Sequence, residues 1–339
     1  MSRTLYGPIA APAPQHDGRR KFLAGAATAV LVPAVRPAAA QSYPTRGITI
    51  VVPASPGGAI DITARLLGAR MTQTWGQPVN VDNRGGATGM IGTEIVAKAP
   101  PDGHTLALVA SSHAINPSMF RKLPFDTIKS FEPVVLTHIV PLVLIINPAL
   151  PAKTLPELIA YGKANPGKLT FASSGNGGAP HMSGELFKSM TGIDMIHVPY
   201  KGSTAAHPDL IAGRTSLMFD TVAAAAPQIR GNTLRALAVT TAKRSSVFPD
   251  LPTMIESGLP GYDTSTWGGL LAPAGTPKDV VAKINGEAVK ALATAEIRER
   301  LAGAGIEPAG GSPEDFGRFI RSEIERWAKV AKDAGIQPE

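Results

Sequence analysis

A run of β-branched residues, Ile48-Thr49-Ile50-Val51-Val52, leads without a spacer through Pro53-Ala54-Ser55-Pro56-Gly57-Gly58 into Ala59-Ile60-Asp61. The run has the composition of a buried strand. Pro53 and Pro56 end it, and Gly57-Gly58 permit backbone angles that a side chain forbids. Beyond Asp61, the apolar positions Ala64, Leu67, Met71 and Trp75 recur at helical spacing. A glycine-rich turn from strand to helix leaves the first N–H groups of the helix unpaired at the positive end of its dipole. That is a place for an anion, commonly phosphate or carboxylate. No Lys or Arg lies between Ala54 and Ile60, so an anion there is held by amides and water. The turn is not G-x-G-x-x-G and lacks the Lys-Ser/Thr of a nucleotide P-loop; an ordinary strand-to-helix turn reads the same way.

The N-terminus belongs to a different physical class. Met1–Gly18 is polar and rich in Pro and Ala; then come Arg19-Arg20-Lys21-Phe22-Leu23, an apolar run to Val35, and Ala38-Ala39-Ala40. A charged start, an apolar run too short to span a bilayer and an A-x-A site are the parts of a signal peptide over residues 1–40. Arg-Arg-x-Phe-Leu resembles the twin-arginine export signal, although Gly18 stands where Ser or Thr is usual, which leaves Sec export open. The leader holds five basic residues (Arg3, Arg19, Arg20, Lys21, Arg36) and one acid (Asp17), so its removal lowers the net charge from +7 to +3. No basic stripe with interleaved aromatics remains, which argues against nucleic acid as a partner. No later segment is apolar for long enough to span a membrane. With no cysteine among 339 residues, the fold rests on its core alone, which a chain of this length, roughly two domains' worth, can supply.

Along the mature chain strands alternate with helices. Val79–Asp82 reads as a second strand, Asn83–Gly89 as a loop and Met90–Lys98 as a helix, before a third strand, Thr105–Ala110, that ends in Ser111-Ser112-His113. Phe131–Asn147 reads as two extended runs broken near His138, a crossover to a second lobe. Thr154-Leu155-Pro156-Glu157 is a capping box. Leu169–Ala172, the turn Ser173 to His181 and the helix Met182–Thr191 then repeat the opening device. Strands follow at Met195–Val198, Thr215–Phe219 (ending at Asp220-Thr221) and Leu234–Thr240, with a helix at Ala205–Ala212. Trp267–Pro273 leads back to the first lobe. Two helices close the chain, one capped by Thr276 with Pro277 at its first position, one starting at Ser312 with Phe316, Ile320, Ile324, Trp327 and Ala331 on its core stripe. The alternation implies a parallel α/β sheet. Ligand sites in open α/β sheets lie at the carboxyl ends of strands, where Pro56–Ala59, Ser111–His113, Ser173–Gly178 and Asp220 all fall.

Several motifs, taken together and in order, resemble one family over the whole mature chain. They are Pro53 to Asp61 as P-x-x-P-G-G-x-x-D; Asn83-Arg84-x-Gly-Ala-x-Gly to Gly89; Ser173-Ser174-Gly-x-Gly-x-x-x-His to His181 with Gly184-Glu185; Pro199-Tyr200-Lys201-Gly202; Phe219-Asp220; and Trp267 with Ala272 to Pro277. The chain is similar to the periplasmic substrate-binding receptors of tripartite tricarboxylate transporters, the Bug proteins. The resemblance implies an α/β, two-lobe periplasmic-binding-protein (Venus-flytrap) fold, with lobe 1 from 41–142 plus 265–339, lobe 2 from 143–264, and a ligand cleft between them. It implies a monomeric, non-enzymatic receptor without cofactor or metal that captures a small carboxylate and delivers it to membrane permease subunits. The grip carried over onto this chain is Pro56, Gly57, Gly58, Ala59 and Asp61 from one lobe and Ser173, Ser174, Gly175 and Gly177 from the other. Two departures stand out: Gly85 replaces the family's usual Pro, and Pro180 has no N–H to offer.

Other residues are open to two readings. Asp61 either orients cleft waters or caps its helix by accepting from N–H groups two or three residues on, and capping is the more common role. Ser112 and His113 lie in a candidate cleft loop, where His113 serves either the ligand or the core. Asp220 either receives a ligand amine or hydroxyl or fixes the neighbouring turn. His181 and Glu185, at i and i+4, have no third ligand near in sequence and read as a first-turn pair rather than a metal site. Arg84 and Lys201 are surface cations. Ser183 is not in a G-x-S-x-G elbow. The rival functions are a periplasmic enzyme acting on carboxylic acids, which would need an acid–base pair not evident here, and an orphan receptor that signals to a sensor kinase.

Overall fold

A computed structural model describes residues 43–338 of the chain. The expected leader, its cleavage site and its twin-arginine motif lie outside the described residues. The first half runs β1 (Ile48–Val52), α1 (Ala59–Trp75), β2 (Val79–Asn83), a 3-10 turn (Ala87–Gly89), α2 (Met90–Ala97), β3 (Thr105–Ala110) and α3 (Ser112–Met119). A 16-residue strand, β4 (Phe131–Ile146), leads out of it. There follow α4 (Leu155–Ala164), β5 (Leu169–Ser173), α5 (Ala179–Thr191), β6 (Met195–Pro199), α6 (Ser203–Ile211), β7 (Leu217–Thr221), α7 (Val222–Arg230) and β8 (Arg235–Val239). The return strand β9 (Ser265–Pro273) leads to α8 (Lys278–Leu292), α9 (Ala295–Gly303), β10 (Glu307–Gly310) and α10 (Pro313–Asp333). Strands and helices alternate through most of the described chain, an α/β fold.

The strands form one path, β2-β1-β3-β9-β4-β7-β5-β6, with β8 and β10 also on β4. β4 changes partners midway. Phe131–Pro141 pairs with β9, and Leu142–Ile146 pairs with β7. β1 is parallel to β2 and β3, and β5 is parallel to β6 and β7, whereas β4 is antiparallel to both β9 and β7. Registers fix what this does to the strand ends. Ala110, at the end of β3, sits opposite Gly268, towards the Pro141 end of β4. Thr221, at the end of β7, sits opposite Leu142. The carboxyl ends of β1 and β3 on one side, and of β5 and β7 on the other, therefore point at each other across the Pro141–Leu142 crossing.

Each half has its own apolar centre. Ile48, Ile50, Val52, Leu67 and Met71 pack with β3, β4 and α8 in one, and Leu144, Leu169, Phe171, Phe187, Phe219 and Tyr262 pack together in the other. In α1 the expected stripe Ala64, Leu67 and Met71 is fully buried, with Trp75 packed at its edge.

Four expectations are corrected. Phe131–Ile146 is one strand, not two; the irregularity near His138 is absorbed as register shifts against β9 at Pro133/Val135 and Leu136/His138, which bend a strand without ending it. Thr276 does not cap α8, because its hydroxyl donates to the Pro273 carbonyl (2.8 Å) and Pro277 takes the cap position. Three helices and a short strand close the chain, not two helices; α9 buries only Ile297 and Leu301, too small a stripe to read as a period. Ser112 and His113, read as part of a loop, begin α3, which carries Pro117 inside it.

Candidate functional site

At the end of β1 the chain makes the turn that its sequence announces. Gly57 adopts φ 89° and Gly58, at φ −80° and ψ 171°, takes the N-cap position of α1 with no side-chain cap. The first helical bond runs from the Ile62 N–H to the Gly58 carbonyl (3.0 Å). The N–H groups of Gly58, Ala59, Ile60 and Asp61 precede it and have no partner among the described residues. Pro56, Gly57 and Gly58 are exposed and Ala59 is half-buried, while Ile60 and Asp61 are buried.

The end of β5 repeats the geometry. Gly177 has φ 69°, and Gly178, at φ −85° and ψ 162°, is the uncapped N-cap of α5. The first helical bond runs from the Met182 N–H to the Gly178 carbonyl (3.0 Å). Pro180 removes one donor, which leaves Gly178, Ala179 and His181. This turn is more enclosed. Gly177 and Ala179 are buried while Ser174, Gly175 and Gly178 are half-buried. Gly177 lies against Met119 at the end of α3, and Ala179 and Met182 join the apolar cluster that holds Ala114 and Ile115 of that helix. The first turn is joined to α3 through the loop after β2: Gly89 sits between Pro53 and the Ser112 hydroxyl, and Thr88 bonds to Asn116 (3.1 Å).

Asp61 does not cap α1 in the expected sense. It is 3% exposed, and its carboxylate reaches back to accept from the Gly57 N–H (2.9 Å), from Asn83 Nδ2 (2.9 Å) and from Arg65 Nε (3.1 Å). Burial pushes its pKa up, but the Arg65 guanidinium and the Gly57 and Asn83 amides outweigh that and hold it below the usual carboxylate range. Asp61 therefore sets the turn from beneath. Asn83 and Arg65 brace it, two residues that the strand-end rule did not pick out; Asn83 was visible only as part of a loop motif.

Three other strand-end residues turn inward. His113 lies on the first turn of α3, not in a loop, with its ring against Phe125 and Phe131 and its Nε2 3.0 Å from the Thr127 carbonyl. Burial lowers its pKa to about 4, so it is a neutral core histidine. Asp220 is fully buried and ties β7 to α6, accepting from the Ser203 hydroxyl (2.5 Å) and the Thr221 N–H (2.8 Å) with His207 Nε2 at 2.7 Å. Ser173 is buried, its hydroxyl donating to the Gly175 carbonyl (3.0 Å) and standing 2.7 Å from His197 Nε2. Ser112 and Ser174 keep partial exposure.

The histidine at the start of α5 is spent on the turn before it. His181 accepts at Nδ1 from the Gly177 N–H (3.1 Å), and its Nε2 lies 3.9 Å from Glu185, which Lys188 also pairs. Burial, with Lys188 nearby, lowers the His181 pKa to about 4. Among the described residues no group of acids and histidines could hold a metal ion. Arg84 is exposed and paired with Asp82 (2.9 Å), Lys201 is exposed, and the buried Ser183 hydroxyl is spent on Thr264 (2.9 Å). Two of the larger surface depressions, near Phe248 and near Glu307, lie away from both turns.

The family model of the tripartite tricarboxylate transporter family receptor matches residues 63–336. Protein BugT of Bordetella pertussis is 39% identical over 303 residues, spanning 89% of this chain and 93% of the relative. Among solved structures, R. palustris Rpa4515 with adipate aligns at TM-score 0.77 and 40% identity, over 88% of this chain and 100% of that one. MatC from Rhodopseudomonas palustris with bound malate aligns at TM-score 0.72 and 34% identity, over 85% and 99%.

Proposed function

Because the chain belongs to the tripartite tricarboxylate transporter receptors, periplasmic solute-binding proteins of the Bug type, we propose that it captures a small dicarboxylate between its two glycine turns. One carboxylate of the ligand meets the amides of Gly58, Ala59 and Ile60 on one side. Gly178 and Ala179, with Ser174 and Gly175 at the rim, meet it on the other. Pro56 and Gly57 shape the first lip, and Ser112 borders it from α3. Asp61, Ser173, Gly177, His113 and Asp220 act behind this surface by holding it in shape. The lobes are 41–142 plus 265–339 and 143–264, hinged where β4 changes partners and where the chain returns at Thr264–Ser265.

One observation carries the reading: two uncapped, glycine-started helices stand at strand ends that point at each other across a crossing strand. An N-terminus of this kind favours negative charge by its free N–H groups and its dipole together. The acids and histidines of the site are occupied with partners inside the protein, which suits capture better than turnover. The relatives that hold adipate and malate make a diacid the first ligand to try. Export by the twin-arginine route, a monomeric state and handover to a permease complete the proposal.

Calorimetric titration of the purified mature chain tests it, with adipate, malate and their neutral diamides as ligands. A diacid should bind with a 1:1 stoichiometry and raise the melting temperature, while the diamides do neither. If no diacid binds, or the diamides bind equally well, the carboxylate grip is wrong.

A further inference from the structure

The two turns share a feature that an amide grip by itself does not demand. In each, the glycine with positive φ points its N–H away from the open face, onto the side chain four residues later: Gly57 onto Asp61 (2.9 Å) and Gly177 onto His181 Nδ1 (3.1 Å). Four residues further on stands a group of the opposite character. In α1 it is Arg65, whose guanidinium lies 2.9 Å from Asp61 Oδ1; in α5 it is Glu185, whose carboxylate lies 3.9 Å from His181 Nε2. The first relay is acid then base, and the second is base then acid. An imidazole that accepts at Nδ1 carries its proton on Nε2, the nitrogen that faces Glu185.

The His181 ring is also fixed in space. It stacks on His197 with centroids 3.9 Å apart and planes 18° apart, and Phe171 stacks against His197 at 4.7 Å and lies 6.2 Å from the His181 ring. His197 in turn stands 2.7 Å from the Ser173 hydroxyl, which accepts from the Gly175 N–H (3.2 Å). One stack therefore holds both ends of the turn from Ser173 to Gly178.

We propose that His181 is the positioning residue of the second turn, a neutral acceptor that keeps Gly177 in its left-handed conformation so that the Gly178 and Ala179 amides face the ligand. Neutrality matters because Pro180 leaves this turn short of donors. A carboxylate here would face Glu185, whose charge is already matched by Lys188 (3.0 Å), and would itself add an unpaired negative charge beside the bound anion. The inference rests on the proposed carboxylate grip for its functional part, but its geometric part stands without it.

The experiment separates the two. Long-range proton–nitrogen spectra of the unliganded protein should show His181 as the Nε2–H tautomer, and hydrogen exchange should show a protected Gly177 amide. His181→Phe keeps a ring on His197 and removes the acceptor, so Gly177 protection should be lost and adipate affinity should fall about tenfold or more, as for a lost hydrogen bond in a binding site. His181→Asn supplies a neutral oxygen from the position that Asp61 uses in the first turn and should restore affinity to within about threefold, on the same scale. His181→Asp should restore Gly177 protection without restoring adipate affinity. A Gly177 amide equally protected in His181→Phe, or a wild-type adipate affinity in that variant, overturns the proposal. If wild-type protein binds no diacid the grip fails, while the tautomer and the Gly177 exchange still decide the geometric part.

Discussion

A Cβ built on Gly58 meets nothing within 4 Å, and its φ of −80° is open to any residue. The position therefore tests charge with little risk to the fold. Aspartate is a preferred N-cap, so Gly58→Asp should leave the unliganded melting temperature equal or slightly raised. It should nonetheless abolish the shift that a diacid produces, because its carboxylate takes the place of the ligand's. Gly58→Ala should keep the shift. A thermal-shift series on the three proteins reads this directly; a preserved shift in Gly58→Asp would remove the first turn from the site. The residue scale is also where sequence reasoning reached its limit. Asp61, His113, Ser173 and Asp220 all fall at strand ends as the chain order requires. Chain order does not say which way a side chain points, and each of these turns inward to a partner far along the chain: Asn83, Thr127, His197 and His207.

Among the elements, β9 and α10 meet at two specific joints. A Cβ on Gly269 would lie 1.9 Å from the Phe316 ring, and one on Gly268 would lie 2.2 Å from the His138 ring. Both rings occupy space that only glycine leaves free. Gly269→Ala should destabilise the protein by about 1–3 kcal/mol, the usual cost of overpacking, and Phe316→Leu in the same chain should recover part of it. Urea unfolding of the two variants measures both effects. A second joint lies close by. Buried Glu323 on α10 accepts at Oε2 from the indole N–H groups of Trp267 on β9 (3.0 Å) and Trp327 (3.1 Å). Glu323→Leu would strand two buried donors and should cost on the order of 3 kcal/mol, while Glu323→Gln keeps an acceptor and should cost less. Equal midpoints for the two variants would mean that the indoles find other partners. The α10 stripe and its Ser312 cap were legible because both are local. The clamp was not, since Trp267 and Glu323 are 56 residues apart.

The stability of the whole molecule should fall in mild acid. Burial is the leading cause that lowers the pKa of His113 and His181 to about 4 and of His138 and His197 to about 3, with nearby positive groups adding to the shift at His181 and His197. These histidines stay neutral when folded, whereas an unfolded histidine takes up a proton near pH 6.5. Stability from this source is complete above about pH 6.5 and is lost as the pH falls towards 4. Each histidine that only the unfolded chain protonates contributes a slope of about 1.4 kcal/mol per pH unit. Denaturant unfolding at pH 7, 6 and 5 should show a steep decline, and a flat profile would mean that the rings are protonated in the fold. A diacid at about a hundred times its dissociation constant should add about 2.7 kcal/mol at any of these pH values where it binds.

The sequence by itself determined the elements whose causes are local. Ile48–Val52, the glycine turn after it and the stripe of α1 follow from β-branching, from proline and glycine geometry and from helical period, and the same device was visible again at Ser173–His181. Ordered motifs along the mature chain were enough to identify the family. Only the tertiary structure decided how those pieces meet. The change of partners by β4 at Pro141–Leu142 sets the two groups of strand ends face to face, and the partners of Asp61 and His181 turn two ordinary helix starts into braced ones. Such contacts join residues far apart in the chain, and they form only when the core brings them together.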